Sequence, residues 1–161
     1  MGGSVVAVTE NLKLELIDPS DFVSPEPINN AIKALDALGL DYIVEQGKSG
    51  EWWYRKWKSG HAECGINDKN FGRVDHKTQW GAMFGTNSQQ SFGAYPFAFS
   101  TKPFVTISFN GDGSGTSSHQ SYIAAAHSTS TTVAPGFRTI DPYSGTYNEL
   151  HCGIYVVGTY N

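Results

Sequence analysis

Charge is scarce in this chain of 161 residues. Asp, Glu, Lys and Arg make up 16% of it, with a formal sum of −4, against about a quarter in an average soluble domain. A nucleic-acid partner requires a clustered basic surface. The one basic run, Arg55-Lys56-Trp57-Lys58, is flanked by Glu51 and Glu63, so no nucleic-acid partner is expected. Long apolar runs are missing too, and without roughly 18 consecutive apolar residues no membrane insertion is expected. The start, Met1-Gly2-Gly3-Ser4, has no basic residue ahead of its short apolar run, which argues against a secretory signal peptide. Cysteine is limited to Cys64 and Cys152, read as free buried thiols of a chain made in the cytoplasm rather than as a disulfide. No internal repeat is visible.

What the chain has instead is glycine (18 residues), serine, threonine and aromatics (13%), a composition that favours short strands and tight turns. The expected fold is mainly β, an antiparallel β-sandwich with an N-terminal arm and one short helix. Residues 1–40 would form the arm and a neck helix, and residues 41–161 the sandwich. In the arm, Leu12, Leu14 and Leu16 alternate with Lys13 and Glu15 as a strand would. Ser24-Pro25-Glu26-Pro27 is a helix entry, and the helix should run from about Glu26 to Leu38, stopped by Gly39. It places Ile28, Ile32 and Leu35 on one stripe. So short a helix must dock that stripe on the β domain or on copies of itself, and the second option makes an oligomer neck.

From residue 42 onward, eight to ten strands are expected. The candidate segments from which they would be drawn are Tyr42–Glu45, a pair flanking Ser59-Gly60, Phe71–His76, Trp80–Phe84, Gln90–Phe99 interrupted at Pro96, Phe104–Phe109, Tyr122–His127, Thr131–Ala134, Phe137–Ile140 and His151–Val157. Gly47–Gly50, Asn110–Ser118 and Asp141–Asn148 read as loops. Three of the four tryptophans fall in Glu51–Cys64. If Ser59-Gly60 is a two-residue turn, Trp57 faces Ala62, Lys56 faces Glu63 and Arg55 faces Cys64. Trp53, Arg55 and Trp57 would then share the core face with Ala62, Cys64 and Ile66, while Tyr54, Lys56, Lys58, His61 and Glu63 would face solvent. A buried Arg55 would need a partner, with Glu51 or a neighbouring subunit as candidates.

Chemistry-bearing residues are few in pattern. His61, Cys64, His151 and Cys152 are zinc-type ligands, but His61 and Cys64 lie three apart and His151 and Cys152 are adjacent, so in strands each pair points to opposite faces; no metal or other cofactor is expected. Asp112, His119 and the serines around them could be drawn as a hydrolase triad, yet they lack the strand-turn-helix setting of a nucleophile. The carboxylates Glu51, Glu63, Asp75, Asp112, Asp141 and Glu149 show no spacing that sets two across a cleft. No catalytic residues are assigned and the chain is not expected to be an enzyme. The loops 110–119 and 141–149 suit recognition through hydrogen bonds and aromatic stacking, with Asp112, His119, Tyr143 and Tyr147 as receptor-binding candidates.

The run Trp52-Trp53-Tyr54-Arg55-Lys56-Trp57-Lys58-Ser59-Gly60-His61-Ala62-Glu63-Cys64 resembles the W-x-Y-R-K-W-x-S-G-x-A-E-C hairpin of phage tail and tail-fibre structural proteins from Firmicute phages and prophages. The lead-in from Ile17 to Pro27, Tyr95-Pro96-Phe97-Ala98-Phe99 and Pro103–Ile107 are similar to that family more loosely. Gly65-Ile66 stands where an aromatic usually follows the cysteine, and Gly158-Thr159-Tyr160-Asn161 ends a chain that in the family closes near Gly-Arg-Trp. The resemblance implies a virion component of the tail, made in the bacterial host cytoplasm. It also implies a homotrimer in contact with other virion proteins, attaching to a bacterial surface glycan or protein. Trp53, Arg55, Trp57, Glu63 and Cys64 would be the structural hairpin, and Ile28, Ile32 and Leu35 the neck. The alternatives are a purely structural virion protein, such as a head decoration or baseplate component, and a polysaccharide-degrading tailspike.

Overall fold

The structure, a computed structural model, describes residues 8, 10, 26–112, 122–124, 130–147 and 149–160. The chain divides into two units, residues 1–42 and 43–161. In the first unit, α1 (Glu26–Ala37) closes with Leu38 N–H donating to the Ala34 carbonyl. Gly39 follows at a φ of 59°, the left-handed conformation that ends helices without a Cβ clash. Ile28 and Leu35 are exposed and Ile32 is half-buried. The leucine-alternating arm strand and the Ser24 cap lie outside the described residues.

The second unit is an antiparallel β-sandwich. Its first sheet contains β1 (Ile43–Ser49), β2 (Trp52–Trp57), β3 (His61–Asn70), β6 (Phe104–Asp112) and β10 (Leu150–Thr159), ordered β1-β2-β3-β10-β6. The second contains β4 (Val74–Trp80), β5 (Met83–Thr86), β7 (Tyr122–Ala124), β8 (Arg138–Asp141) and β9 (Gly145–Tyr147), ordered β7-β8-β5-β4-β9. The chain enters the first sheet as a meander, crosses to the second for β4 and β5, returns to the first in β6, crosses again for β7 to β9, and ends in β10, inserted between β3 and β6.

Between the sheets, Trp52, Ala62, Cys64, Ile66, Val74, Leu150, Cys152, Ile154 and Val156 are buried together with Phe92, Tyr95, Phe99, Ala134 and Phe137 from connecting segments. The 87–103 segment makes only isolated bridges, Gln90 to Phe137 and Ala94 to Val133, yet it supplies three large core side chains. Pro96 has no N–H for a ladder, so the segment contributes rings rather than pairing. Trp52 meets Tyr95 edge-on at 5.7 Å, and Phe92 stacks on Phe137 at 5.3 Å. Aromatic pairs in these geometries add to what area burial alone gives. Val105, Ile107 and Phe109 pack against the same core from one face of β6, as the alternation predicts.

Several boundaries depart from sequence expectation. Residues 47–49, read as loop, belong to β1, because Ser49 pairs with Trp52 and only Gly50-Glu51 turn. Gly50 has a φ of 59°, which suits the first position of a two-residue hairpin. Trp80–Phe84 is not one strand: Trp80 pairs with Met83 across a turn at Gly81-Ala82. Thr131–Ala134 forms a single bridge instead of a strand. Part of the 141–148 loop is β9, which pairs with β4.

The central correction concerns the β2–β3 register. Trp53 pairs with Gly65, Tyr54 with Cys64, Arg55 with Glu63 and Lys56 with Ala62, one residue away from the expected pairing. The loop has three residues, Lys58-Ser59-Gly60, with Gly60 N–H donating to the Trp57 carbonyl at 3.0 Å and Gly60 at a φ of 86°. This is the turn-plus-left-handed-glycine hairpin rather than the two-residue form. Since strand side chains alternate, one residue of slip exchanges the faces. Trp52 and Tyr54 face inward, with Lys56, while Trp53, Arg55 and Trp57 lie outside the core. Cys64 is buried as expected, and Glu63 is on the outer face. Arg55 is half-exposed and pairs with Glu63 at 3.3 Å, whereas Glu51 pairs with Lys69 at 2.5 Å.

Candidate binding surfaces

The inner position of Lys56 is made tenable by its surroundings. Its ammonium lies 4.9 Å from the Phe97 ring centre and 5.2 Å from that of Tyr160, and donates to Glu45 Oε2 at 2.7 Å. Ring faces and a carboxylate replace the lost water. Glu45 also accepts from Tyr54 Oη at 3.0 Å. Its carboxyl is held below the ordinary value first by the Lys56 bond and then by the Tyr54 bond. These contacts lock the inner side of the hairpin and leave its outer side free to differ.

On that outer side the Trp53 indole lies across Gly65. A Cβ at position 65 would sit 2.8 Å from Trp53 Cζ2 and 2.6 Å from the Ile154 carbonyl, so only glycine admits the ring. Trp53 Nε1 donates to Asn67 Oδ1 at 2.9 Å, and the ring neighbours Tyr155 at 6.1 Å. The Arg55 guanidinium carbon stands 5.8 Å from the indole centre. Glu63 ties this group together, accepting from Arg55 through one oxygen and from Tyr155 Oη through the other at 2.5 Å. The Tyr155 hydroxyl is pushed up to about 12, first by that hydrogen bond and then by desolvation. Next to Trp53, a cleft of about 400 Å³ opens among Gln46, Gly47, Lys48, Trp53, Tyr54 and Arg55. Lys48 pairs across the ladder with Trp53, and Gln46 with Arg55.

A similar stack occurs on the second sheet. The Trp80 ring covers Gly85, whose added Cβ would meet it at 3.2 Å, and the Arg138 guanidinium carbon lies 5.4 Å from the ring centre. There the arginine donates to the Thr86 carbonyl. A second cleft, about 270 Å³, is lined by Arg73, Val74, Asp75, Asn87, Ser88 and Gln90. Asp75 accepts from Thr146 Oγ1 at 2.5 Å and from Lys77 at 3.1 Å, and in that order these bonds hold its carboxyl below the ordinary value.

The loop residues singled out from sequence are scattered. Asp112 ends β6 opposite Leu150, and Tyr147 lies in β9 opposite Val74. Tyr143 is 64% exposed, its N–H donating to Asp141 Oδ1 at 2.7 Å. His119 lies outside the described residues. Tyr143 lines neither cleft. Sequence reasoning missed Lys48 by reading Gly47–Gly50 as a loop, missed Gln46 by ending the preceding strand at Glu45, and missed Trp53 through the register slip. The available signal was Gly65, a glycine in mid-strand, which marks close approach of another group.

The zinc-type residues point apart. His61 is exposed, its ring 5.0 Å from Trp57, while Cys64 is buried. His151 Nδ1 lies 2.7 Å from Asp68 Oδ2, while Cys152 is buried and free. Burial pushes both thiols up to about 12. Cys64 pairs with Val156, four residues along β10 from Cys152, about 13 Å at the usual rise and too far for a disulfide. Among the described residues no cluster of three metal-type ligands occurs, and no helix is long and apolar enough to cross a membrane. Comparison with protein-family models, curated proteins and solved structures finds no match to this chain.

Proposed function

We propose that the chain is a phage virion component, a tail-fibre or receptor-binding protein that attaches to a bacterial surface glycan or protein. The observation that carries this reading is the Trp52–Cys64 hairpin, whose signature residues divide between two tasks. Trp52, Tyr54, Lys56 and Cys64 hold the sandwich together, while Trp53, Arg55 and Trp57 remain on a strand-supported outer surface. Aromatic and cationic groups fixed on rigid strands are suited to recognition. The exposed apolar residues Ile28, Leu35, Leu38 and Leu40, the third of them 69% exposed, support assembly into a homotrimer through a neck that would cover them.

Adsorption of the purified, labelled full chain to host cells tests the attachment role, and its mass in solution tests the assembly. Saturable adsorption and a trimer mass at micromolar concentration are the expected results. A monomer at that concentration would sink the neck. Incorporation into particles without adsorption would favour the purely structural role, and release of reducing sugar from capsule or cell wall would favour the tailspike.

A further inference from the structure

Resting on the receptor-binding reading, we propose that the cleft beside Trp53 on the outer face of β1 and β2 is a saccharide site, and that the sugar it takes carries a carboxylate. Three features of the cleft define that ligand. Trp53 is immobilised beforehand by Gly65 beneath it, Asn67 at its Nε1 and Tyr155 at its side. A sugar ring stacking there would freeze little side-chain freedom, the cost that usually weakens binding at exposed aromatics. The volume of about 400 Å³ lies in the range of small-ligand sites and suits one or two sugar rings.

Charge selects among sugars. Lys48 is exposed and stands directly across from Trp53, and no carboxylate among the described residues pairs with it. Arg55 holds Glu63 through Nη1 alone at 3.3 Å, which leaves further guanidinium donors of the planar fork for a second carboxylate. Glu63 is itself kept in place by Tyr155, so a ligand carboxylate approaches from the Lys48 side. A locally cationic corner in a chain of formal charge −4 is a selective feature rather than a reflection of overall charge. Gln46, opposite Arg55, offers both a donor and an acceptor to sugar hydroxyls.

The Trp80 stack supplies an internal contrast. It has the same ring-over-glycine arrangement and an arginine beside it, but that arginine is engaged by the Thr86 carbonyl and Trp80 lines neither cleft. A ring over a glycine is therefore a device for filling the sheet surface. The cleft and the unpaired lysine distinguish the Trp53 copy.

The experiment is titration of the full chain with oligogalacturonate, with maltooligosaccharide as the neutral control, read by calorimetry and by the indole N–H signals in NMR. Oligogalacturonate is expected to move the Trp53 signal and leave that of Trp80 in place. Lys48→Glu, at an exposed position, should weaken binding roughly tenfold or more, the loss expected for one charge-assisted contact. Trp80→Leu should bind as the parent chain does. A Trp53 signal that stays still at saturating oligogalacturonate, an equal response to the neutral sugar, or unchanged binding by Lys48→Glu would each overturn the proposal. Cell adsorption separates this site from the broader reading. Full adsorption by Lys48→Glu would place attachment elsewhere on a receptor-binding protein and overturn this cleft as its glycan site. Selective oligogalacturonate binding by a chain that does not adsorb would uphold the cleft and count against the attachment role.

Discussion

On the inner face of the first sheet sit Trp52, Ala62, Cys64, Ile66, Ile154 and Val156; on that of the second sit Val74, His76, Thr86, Thr139 and Asp141. The first is a hydrophobic layer, and its strands show apolar residues in alternation. The second buries polar side chains, and His76 Nε2 meets Thr139 Oγ1 at 2.7 Å while Asp141 caps the Tyr143 N–H. A hydrophobic layer gains from area removed from water and is indifferent to direction. A polar layer contributes only where its hydrogen bonds are made, and loses heavily where one is broken. The first sheet thus sets how stable the sandwich is, and the second sets how specifically its strands align.

The strongest way to break this contrast is Trp52→Ala. Trp52 is 5% exposed and touches Phe92 and Tyr95, so the cavity should cost about 3–5 kcal/mol in denaturant unfolding. A loss under about 1 kcal/mol would show that the first sheet does not carry the stability. Thr139→Val comes next. It keeps the shape and removes the hydroxyl that pairs with His76, with an expected cost of about 1–3 kcal/mol. A neutral result would mean that the polar layer behaves like the apolar one.

The smallest effect is electrostatic and belongs to the far end of the first sheet, where Asp68 accepts from Asn110 at 2.9 Å and from His151 at 2.7 Å. These bonds, Asn110 first, hold the Asp68 carboxyl below its ordinary value, and the Asp68 bond raises His151 above its own. The histidine's contribution is complete below its unfolded pKa and is lost as pH rises through the raised folded value. The carboxylate's contribution is present above its unfolded pKa and is lost as pH falls through the depressed folded value. The pair therefore stabilises most between the unfolded pKa of the carboxyl and that of the imidazole, and modestly, because Asp68 is half-exposed and His151 reaches solvent at the sheet surface. Melting curves of Asp68→Asn and the parent chain should differ most in that window, with the difference narrowing above the folded pKa of His151 to what the Asn110 bond to Asp68 contributes. A constant difference at all pH values would assign the effect to packing.

Much of this fold was legible in the residues. The helix ending before Gly39, the strand begun at Phe104 with Val105, Ile107 and Phe109 inward, and the final strand through His151–Val157 all follow from period and breaker residues. The hairpin was recognisable, but its register was not. A loop of Ser59-Gly60 and one of Lys58-Ser59-Gly60 are equally readable in sequence, and the choice between them moves every side chain to the other face. The cleft depended on that choice, since Trp53 belongs to it only when it faces outward. It depended also on Lys48 being strand rather than loop, which pairing with Trp53 decides.

The sequence by itself determined a mainly β chain with one short helix, low charge and a tryptophan-rich hairpin, because composition and local periodicity act over a few residues at a time. Which face of that hairpin became core was decided only by tertiary structure. The Tyr95 and Phe97 rings, dozens of residues away, cover Trp52 and Tyr54, and Gly65 across the ladder leaves room for Trp53 on the other side. Those partners are remote in the chain, so no local pattern could place them.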